Sequence, residues 1–262
     1  MKKTIIALLA LATAATADSV GYNSMTAAQK DGVVLAWDFS TGTGAATVGS
    51  VNGDFDMNEA GDAALLAAEK SHPWKDGMTG SFADGNFTLN FDLNSFTASN
   101  WQALVAMYTA GGTGDSGCLQ IGVSNTGDLH IYNNVAGQSG YAGITATGGI
   151  DTGLDSGMTE TATLTLVSDM VNTKTLTLYI DGVYKGSWDN WTAESNKAMN
   201  GIQFGAAFGG SRVFPEAEIS NVTLWNKALT ATEVKGLMIP EPTTATLSLL
   251  ALAGLAARRR RK

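Results

Sequence analysis

KTLTLYIDGVYKGSW, residues 174–188, decides the fold class. Leu176, Leu178 and Ile180 alternate with Thr175, Thr177 and Tyr179. In a strand, that alternation puts the apolar set on one face and the threonines on the other. Asp181-Gly182 follows, then Val183, Tyr184 and Trp188. Asp-Gly between two β-prone runs is the strongest signal for a two-residue hairpin, because both turn positions need positive φ. The stretch predicts an antiparallel hairpin with one buried face.

Similar pieces extend outward from it. TATLTLVS at 161–168 is a preceding strand, and CLQIGVSNTGDLHIYN at 118–133 is a second hairpin turning at Asn125-Thr126-Gly127. NWQALVAMYT (100–109), IQFGAAF (202–208) and AEISNVTLW (217–225) supply more strands. Thr230 and Glu233 have capping-box spacing, which predicts a short helix from Ala231 to Leu237. Residues 40–86 are rich in Gly, Asn and acids, and read as long loops with one helix over Ala60–Lys70. Many short strands without strand–helix alternation predict an all-β sandwich.

The two ends differ from this acidic, glycine-rich body. Lys2 and Lys3, the apolar run Ile5–Ala12 and Ala15-Thr16-Ala17 form a signal peptide cut after Ala17 by signal peptidase. At the other end stand Pro240, Glu241 and Pro242, the apolar run Leu247–Ala257, then Arg258, Arg259, Arg260, Arg261 and Lys262. Extended back to Thr243, that run would span roughly 22 Å as a helix, against a bilayer core of about 30 Å. The basic block would stay cytoplasmic. The expected organisation is a signal peptide (1–17), a lead-in (18–32), a sandwich domain (33–238) and a tail (239–262).

The chain carries 16 Lys+Arg against 24 Asp+Glu. Removing two cations with the signal peptide and five with the tail leaves nine against 24 acids, about −15. No basic footprint remains for nucleic acid. Cys118 is the one cysteine, so an internal disulfide is excluded; its apolar surroundings suit a buried thiol.

Pro-Glu-Pro, an apolar helix containing Gly254 and an arginine cluster, in that order, resemble a PEP-CTERM sorting signal. The resemblance implies a Gram-negative bacterium, an exosortase that cuts near Pro240–Pro242, transient tethering in the inner membrane, and delivery to the cell envelope or extracellular matrix. The body resembles a laminin-G-like, concanavalin A-like jelly roll over residues 33–238. GVVLAWDFS (32–40) matches its first strand, and AEISNVTLWNKALTATEVKGL (217–237) its closing strand and helix. That family implies binding of carbohydrate or protein at a cell surface. The expected ligand is a glycan or exopolysaccharide, with a host glycan or surface protein as alternatives; the other readings are a structural envelope or matrix protein without a small ligand, and a glycoside hydrolase.

Catalytic patterns are missing. Glycoside hydrolases of this fold place acids two or three apart on one strand; Glu216-Ala217-Glu218 is the nearest match and lacks a third acid. His72 and His130 have no nucleophile elbow beside them. The resemblance implies a structural calcium, although Ser220 and Asn221 stand where the family often has an Asp pair; Asp38, Glu218 and Asn221 are the candidate ligands joining first and last strands. The candidate sugar site is Trp188, Asp189, Asn190 and Trp191, where a loop indole beside polar groups suits a sugar ring. Trp37, Trp101 and Trp225 read as core. Should Trp191 fail, the loops from Thr41 to Gly85 are the next place to look.

Overall fold

The computed structural model describes residues 18–70, 72–75, 78, 85–97, 102–108, 118–123, 128–134, 150–189, 191, 201–207 and 212–238. The signal peptide, the tail, Trp101, Asn190 and the turn at 125–127 lie outside these. Among the described residues no helix is long and apolar enough to cross a membrane.

Two antiparallel sheets face each other. The first has seven strands. β1 (Val33–Ala36) lies beside β13 (Glu216–Trp225), then come β4 (Phe87–Thr97), β9 (Ala162–Asp169), β10 (Thr175–Ile180) and β11 (Val183–Asp189); β2 (Ala64–Ala67) pairs with β13. The second has six: β3 (Trp74–Lys75), β12 (Gly201–Phe204), β5 (Gln102–Tyr108), β6 (Cys118–Val123), β7 (Asp128–Asn134) and β8 (Ile150–Asp155), in that spatial order. This is the expected jelly-roll sandwich.

The core follows from period-2 alternation. Phe87, Leu89, Phe91 and Leu93 of β4 meet Leu164 and Leu166 of β9 and Leu176 and Leu178 of β10 on the inner face of the first sheet. Leu119, Ile121, Val123, Leu129 and Ile131 face them from the second. Trp37, Phe55 and Phe204 close one end, with ring centroids 5.2–5.3 Å apart in edge-to-face pairs. Trp37 and Trp225 are buried, as expected, and His130 is half-buried in β7. Cys118 begins β6; its side chain lies outside the described residues.

The hairpin at 174–188 is formed. Ile180 pairs with Val183, and Asp181 (φ 51°) and Gly182 (φ 70°) both take the left-handed conformation of a two-residue turn. The capping box is also present: Thr230 accepts from the Glu233 N–H, Glu233 accepts from the Thr230 N–H, and α2 runs Ala231–Gly236.

The helix expected over 60–70 is not. Ala64–Ala67 is a strand, paired antiparallel with Ile219–Glu216. An Ala/Leu run has helix propensity, but here it lies along β13, beyond the end of β1, and the ladder outweighs that weak local preference.

The first sheet is buried on its outer face too. Thr88, Asn90 and Asp92 of β4 and Thr163 and Thr165 of β9 point outward and are covered. The lead-in lies over them. Ser19 bridges to Met238, α1 (Ala27–Lys30) follows, and Met25, Val167, Trp225, Leu229, Val234 and Leu237 form a second, smaller core. Residues 18–32 are therefore packed onto the sandwich.

Candidate functional site

The structure separates the four residues expected to form a sugar site. Trp188 pairs with Leu176, whose side chain is in the core, so its indole faces inward and packs half-buried against the core edge. Asp189 pairs with Thr175 and faces outward, exposed. Trp191 is 1% exposed and donates its indole N–H to Ser168 Oγ at 2.7 Å. A buried indole cannot stack on a sugar, so the platform assigned to Trp191 is corrected: it is core. Asn190 lies outside the described residues.

A bulge explains the error. With an uninterrupted ladder from Ile180–Val183, Trp188 would face Thr175 on the solvent side. The register shifts between Leu178 and Tyr179, which pair with Gly186 and Tyr184 and leave Lys185 as the extra residue. One inserted residue moves everything beyond it to the other face.

An exposed indole is found elsewhere. Trp74 is 39% exposed on the two-residue edge strand β3. It pairs with Gln203, Gln203 with Ala106, and Ala106 with Gln120. Opposed residues share a face, and the neighbours Ile202, Phe204, Val105, Met107, Leu119 and Ile121 are core. The row therefore lies on the outer face of the second sheet. Gln203 and Gln120 are buried within it, and Trp74 is its open end. Beside Trp74 the chain at 50–52 pairs back-to-back with it: Asn52 N–H donates to the Trp74 carbonyl at 2.8 Å, and Lys75 Nζ donates to Ser50 Oγ at 3.2 Å. Ser50 and Asn52 are exposed. Asn52, opposite Trp74 in this bridge, shares its face, whereas Lys75 pairs with the core residue Ile202 and leaves β3 on the other face. An exposed indole beside an amide can stack on a sugar ring and bond its hydroxyls. The sequence signal was a Trp between Pro73 and Lys75-Asp76, in turn-rich rather than strand-like surroundings.

A family model of the concanavalin A-like lectin/glucanases superfamily matches residues 74–235. The chain belongs to that superfamily. The match begins at Trp74. Among curated protein sequences, none matches the chain. Several solved structures share the superfamily's sandwich with it. Domain 4 of AbnA, a GH43 extracellular arabinanase from Geobacillus stearothermophilus, in complex with arabinotriose, is 12% identical with a TM-score of 0.54, over 80% of this chain and 100% of that one. The binding domain of botulinum neurotoxin DC in complex with SialylT is 15% identical with a TM-score of 0.56, over 80% of this chain and 51% of that one. A point mutant of the NanB sialidase from Streptococcus pneumoniae is 18% identical with a TM-score of 0.50, over 69% of this chain and 28% of that one. At these identities the likeness is one of fold.

The calcium set expected for a member of this superfamily is not assembled. Asp38 and Asn221 do approach each other: a Cβ placed on Gly21 would lie 3.0 Å from Asp38 Oδ2 and 2.9 Å from Asn221 Oδ1. Asp38 spends its oxygens inside the protein, accepting from the Asn23 N–H at 2.8 Å and from Ser40 N–H and hydroxyl. Asn221 donates to Ser19 O and to Asp92 Oδ2. Glu218 sits elsewhere on β13, accepting from Asn58 Nδ2 at 3.4 Å. Among the described residues no group of three or more His, Cys, Asp or Glu could hold a metal ion.

Proposed function

We propose that the chain is an exported, non-catalytic binding module for glycans, with Trp74 as its aromatic platform. The exposed Trp74 carries this reading, set at the end of the outer row of the second sheet with Asn52 opposite it. Two of the similar folds were solved with arabinotriose and with SialylT, which supports a sugar as the ligand class. The non-catalytic reading rests on the sequence, where Glu216-Ala217-Glu218 lacks the third acid of the hydrolase pattern. Hydrolysis needs a second carboxyl held across the scissile bond.

Export rests on the signal peptide ending at Ala17. Sorting rests on Pro240-Glu241-Pro242 and the arginine block, with signal peptidase and an exosortase as transient partners and the envelope or extracellular matrix as destination. The deciding experiment is a glycan array with wild type and Trp74→Ala, alongside turnover of labelled polysaccharides. Binding lost in Trp74→Ala, with no turnover by wild type, is the expected result. Turnover by wild type would make the chain an enzyme, and an empty array would leave a structural matrix role.

A further inference from the structure

The start of the lead-in is seated on a buried carboxylate. Asp92 is 0% exposed on the outer face of β4. Its oxygens accept from the Ser19 N–H at 3.0 and 3.2 Å, from Thr163 Oγ1 at 2.6 Å and from Asn221 Nδ2 at 2.7 Å. Ser19 is itself 0% exposed, and its hydroxyl accepts from Asn90 Nδ2 at 3.0 Å. All the donors to Asp92 are neutral. Among the described residues no lysine or arginine is hydrogen-bonded or ion-paired to it. Burying an ionised carboxyl with only neutral donors is costly, and burial pushes the Asp92 carboxyl above its usual range despite them.

Three more acids stand at the same place. Asp181, in the hairpin turn, accepts from the Thr163 N–H at 2.8 Å and is pushed up by burial and then by the Asp18 carboxylate beside it. Asp18 is the second and Asp38 the third, its Oδ2 3.0 Å from where a Cβ on Gly21 would be, beside Asn221 Oδ1. From α2, Lys235 brings its Cα within 3.5 Å of where a Cβ on Gly182 would be, without pairing with Asp92. The local balance is four carboxyls, and among the described residues neither Asp92 nor Asp181 has a lysine or arginine paired with it.

We propose that cleavage after Ala17 supplies that cation, so that the α-ammonium freed on Asp18 completes the fold as the counter-charge of Asp92 and Asp181. Water adds across the Ala17–Asp18 amide, the acyl carbon leaves as the Ala17 carboxylate, and the amine leaves on Asp18, protonated at neutral pH. It lies one residue before the amide already held by Asp92. The same place holds the other end of the domain: Ser19 bridges Met238, and Val20 N–H donates to Leu237 O at 2.8 Å. Removing the leader thus tightens the strand that clamps the C-terminal end ahead of Pro240. The proposal rests on the signal-peptide reading and makes leader removal a folding step as well as a release.

The test uses the chain from Asp18 to Lys262 in one detergent, with three N-termini: free Asp18, Asp18 acetylated on its α-amine, and a form retaining Thr16-Ala17, whose amine is displaced by two residues of about 3.8 Å each. The free form is expected to melt about 2–4 °C above the other two, the shift that a stabilisation near 1 kcal/mol gives a chain of this size. In Asp92→Asn the three should melt together. Equal melts in the wild-type background overturn the proposal, as does a gap that survives Asp92→Asn. Should Asp92→Asn not fold, NMR titration of the free α-amine decides: a pKa above the ordinary value of about 8 supports the pair, and an ordinary value overturns it. N-terminal sequencing from the native host separately tests cleavage after Ala17.

Discussion

Trp191 donates its indole N–H to Ser168 Oγ at 2.7 Å, and Ser168 Oγ donates in turn to the Gly85 carbonyl at 2.5 Å. The indole ring lies 5.8 Å from that of Trp188 and plugs the sandwich beside β10. Trp191→Ala should therefore cost about 3–5 kcal/mol, the range for emptying a core aromatic site. Trp191→Phe should cost less, about 1–3 kcal/mol, chiefly from the hydroxyl acceptor left without its donor. Urea denaturation of both variants measures this. Glycan binding should fall only in step with unfolding; binding lost from a fully folded Trp191→Ala would restore the indole to the ligand site.

The hairpin turn gives a second prediction. Gly182 has φ 70°, and a Cβ there would meet Met238 Cγ at 2.9 Å. Gly182→Val combines left-handed strain with displacement of the residue that bridges Ser19. A loss of roughly 1–3 kcal/mol is expected. A thermal melt equal to wild type would place the turn elsewhere.

The third concerns the cap of α2. Glu233 accepts from the Thr230 N–H at 2.7 Å and from its hydroxyl at 2.8 Å, and these bonds hold its carboxyl below the usual range. A depressed folded pKa gives stability that is present above the unfolded value and lost as pH falls through the folded one. Glu233→Gln should therefore flatten the acid limb of the melting curve below about pH 4.3, the unperturbed Glu value, with little change at lower pH still. Thr230→Ala should cost about 1 kcal/mol at neutral pH. Melts of both variants from pH 2 to 7 measure the two effects, and an acid limb in Glu233→Gln identical to wild type would remove the carboxylate from the cap.

How far these features were legible depends on whether their cause was local. Asp181-Gly182, the alternation of Leu176, Leu178 and Ile180, and the Thr230–Glu233 spacing act within a few residues, and the sequence showed all three. β2 did not show, because Ala64–Ala67 is a strand only by virtue of Glu216–Ile219 lying beside it. The cover over Thr88, Asn90 and Asp92 did not show either. Polar residues in a strand suggest solvent, and their burial depends on a lead-in about 70 residues away in the chain. The face of Trp188 turned on the single extra residue at Lys185, which no local pattern marks. Trp74 lay in the one region where no strand pattern could be read, and its partner Gln203 is 129 residues away in the chain.

Trp74 yields the functional prediction, and its exposure separates it from every other described indole. Trp37, Trp191 and Trp225 are at most 1% exposed, and Trp188 packs against the core. Removing the Trp74 side chain uncovers an edge strand held by main-chain bonds to Asn52 and by its ladder with β12. Those bonds survive truncation, but about three-fifths of the indole is covered, so Trp74→Ala should cost about 1–2 kcal/mol and still leave the protein folded. A stacked aromatic at the centre of a site contributes on the order of 2 kcal/mol, about thirtyfold in affinity. Trp74→Phe keeps a smaller ring and should recover part of that loss, whereas Lys75→Ala, on the other face of β3, should leave affinity unchanged. Calorimetric titration of the best array hit against the three variants, with a melt of each preparation, gives the answer. A Trp74→Ala protein that binds as wild type does would take the site away from β3. One that loses binding and melting together would make Trp74 a structural residue of the edge.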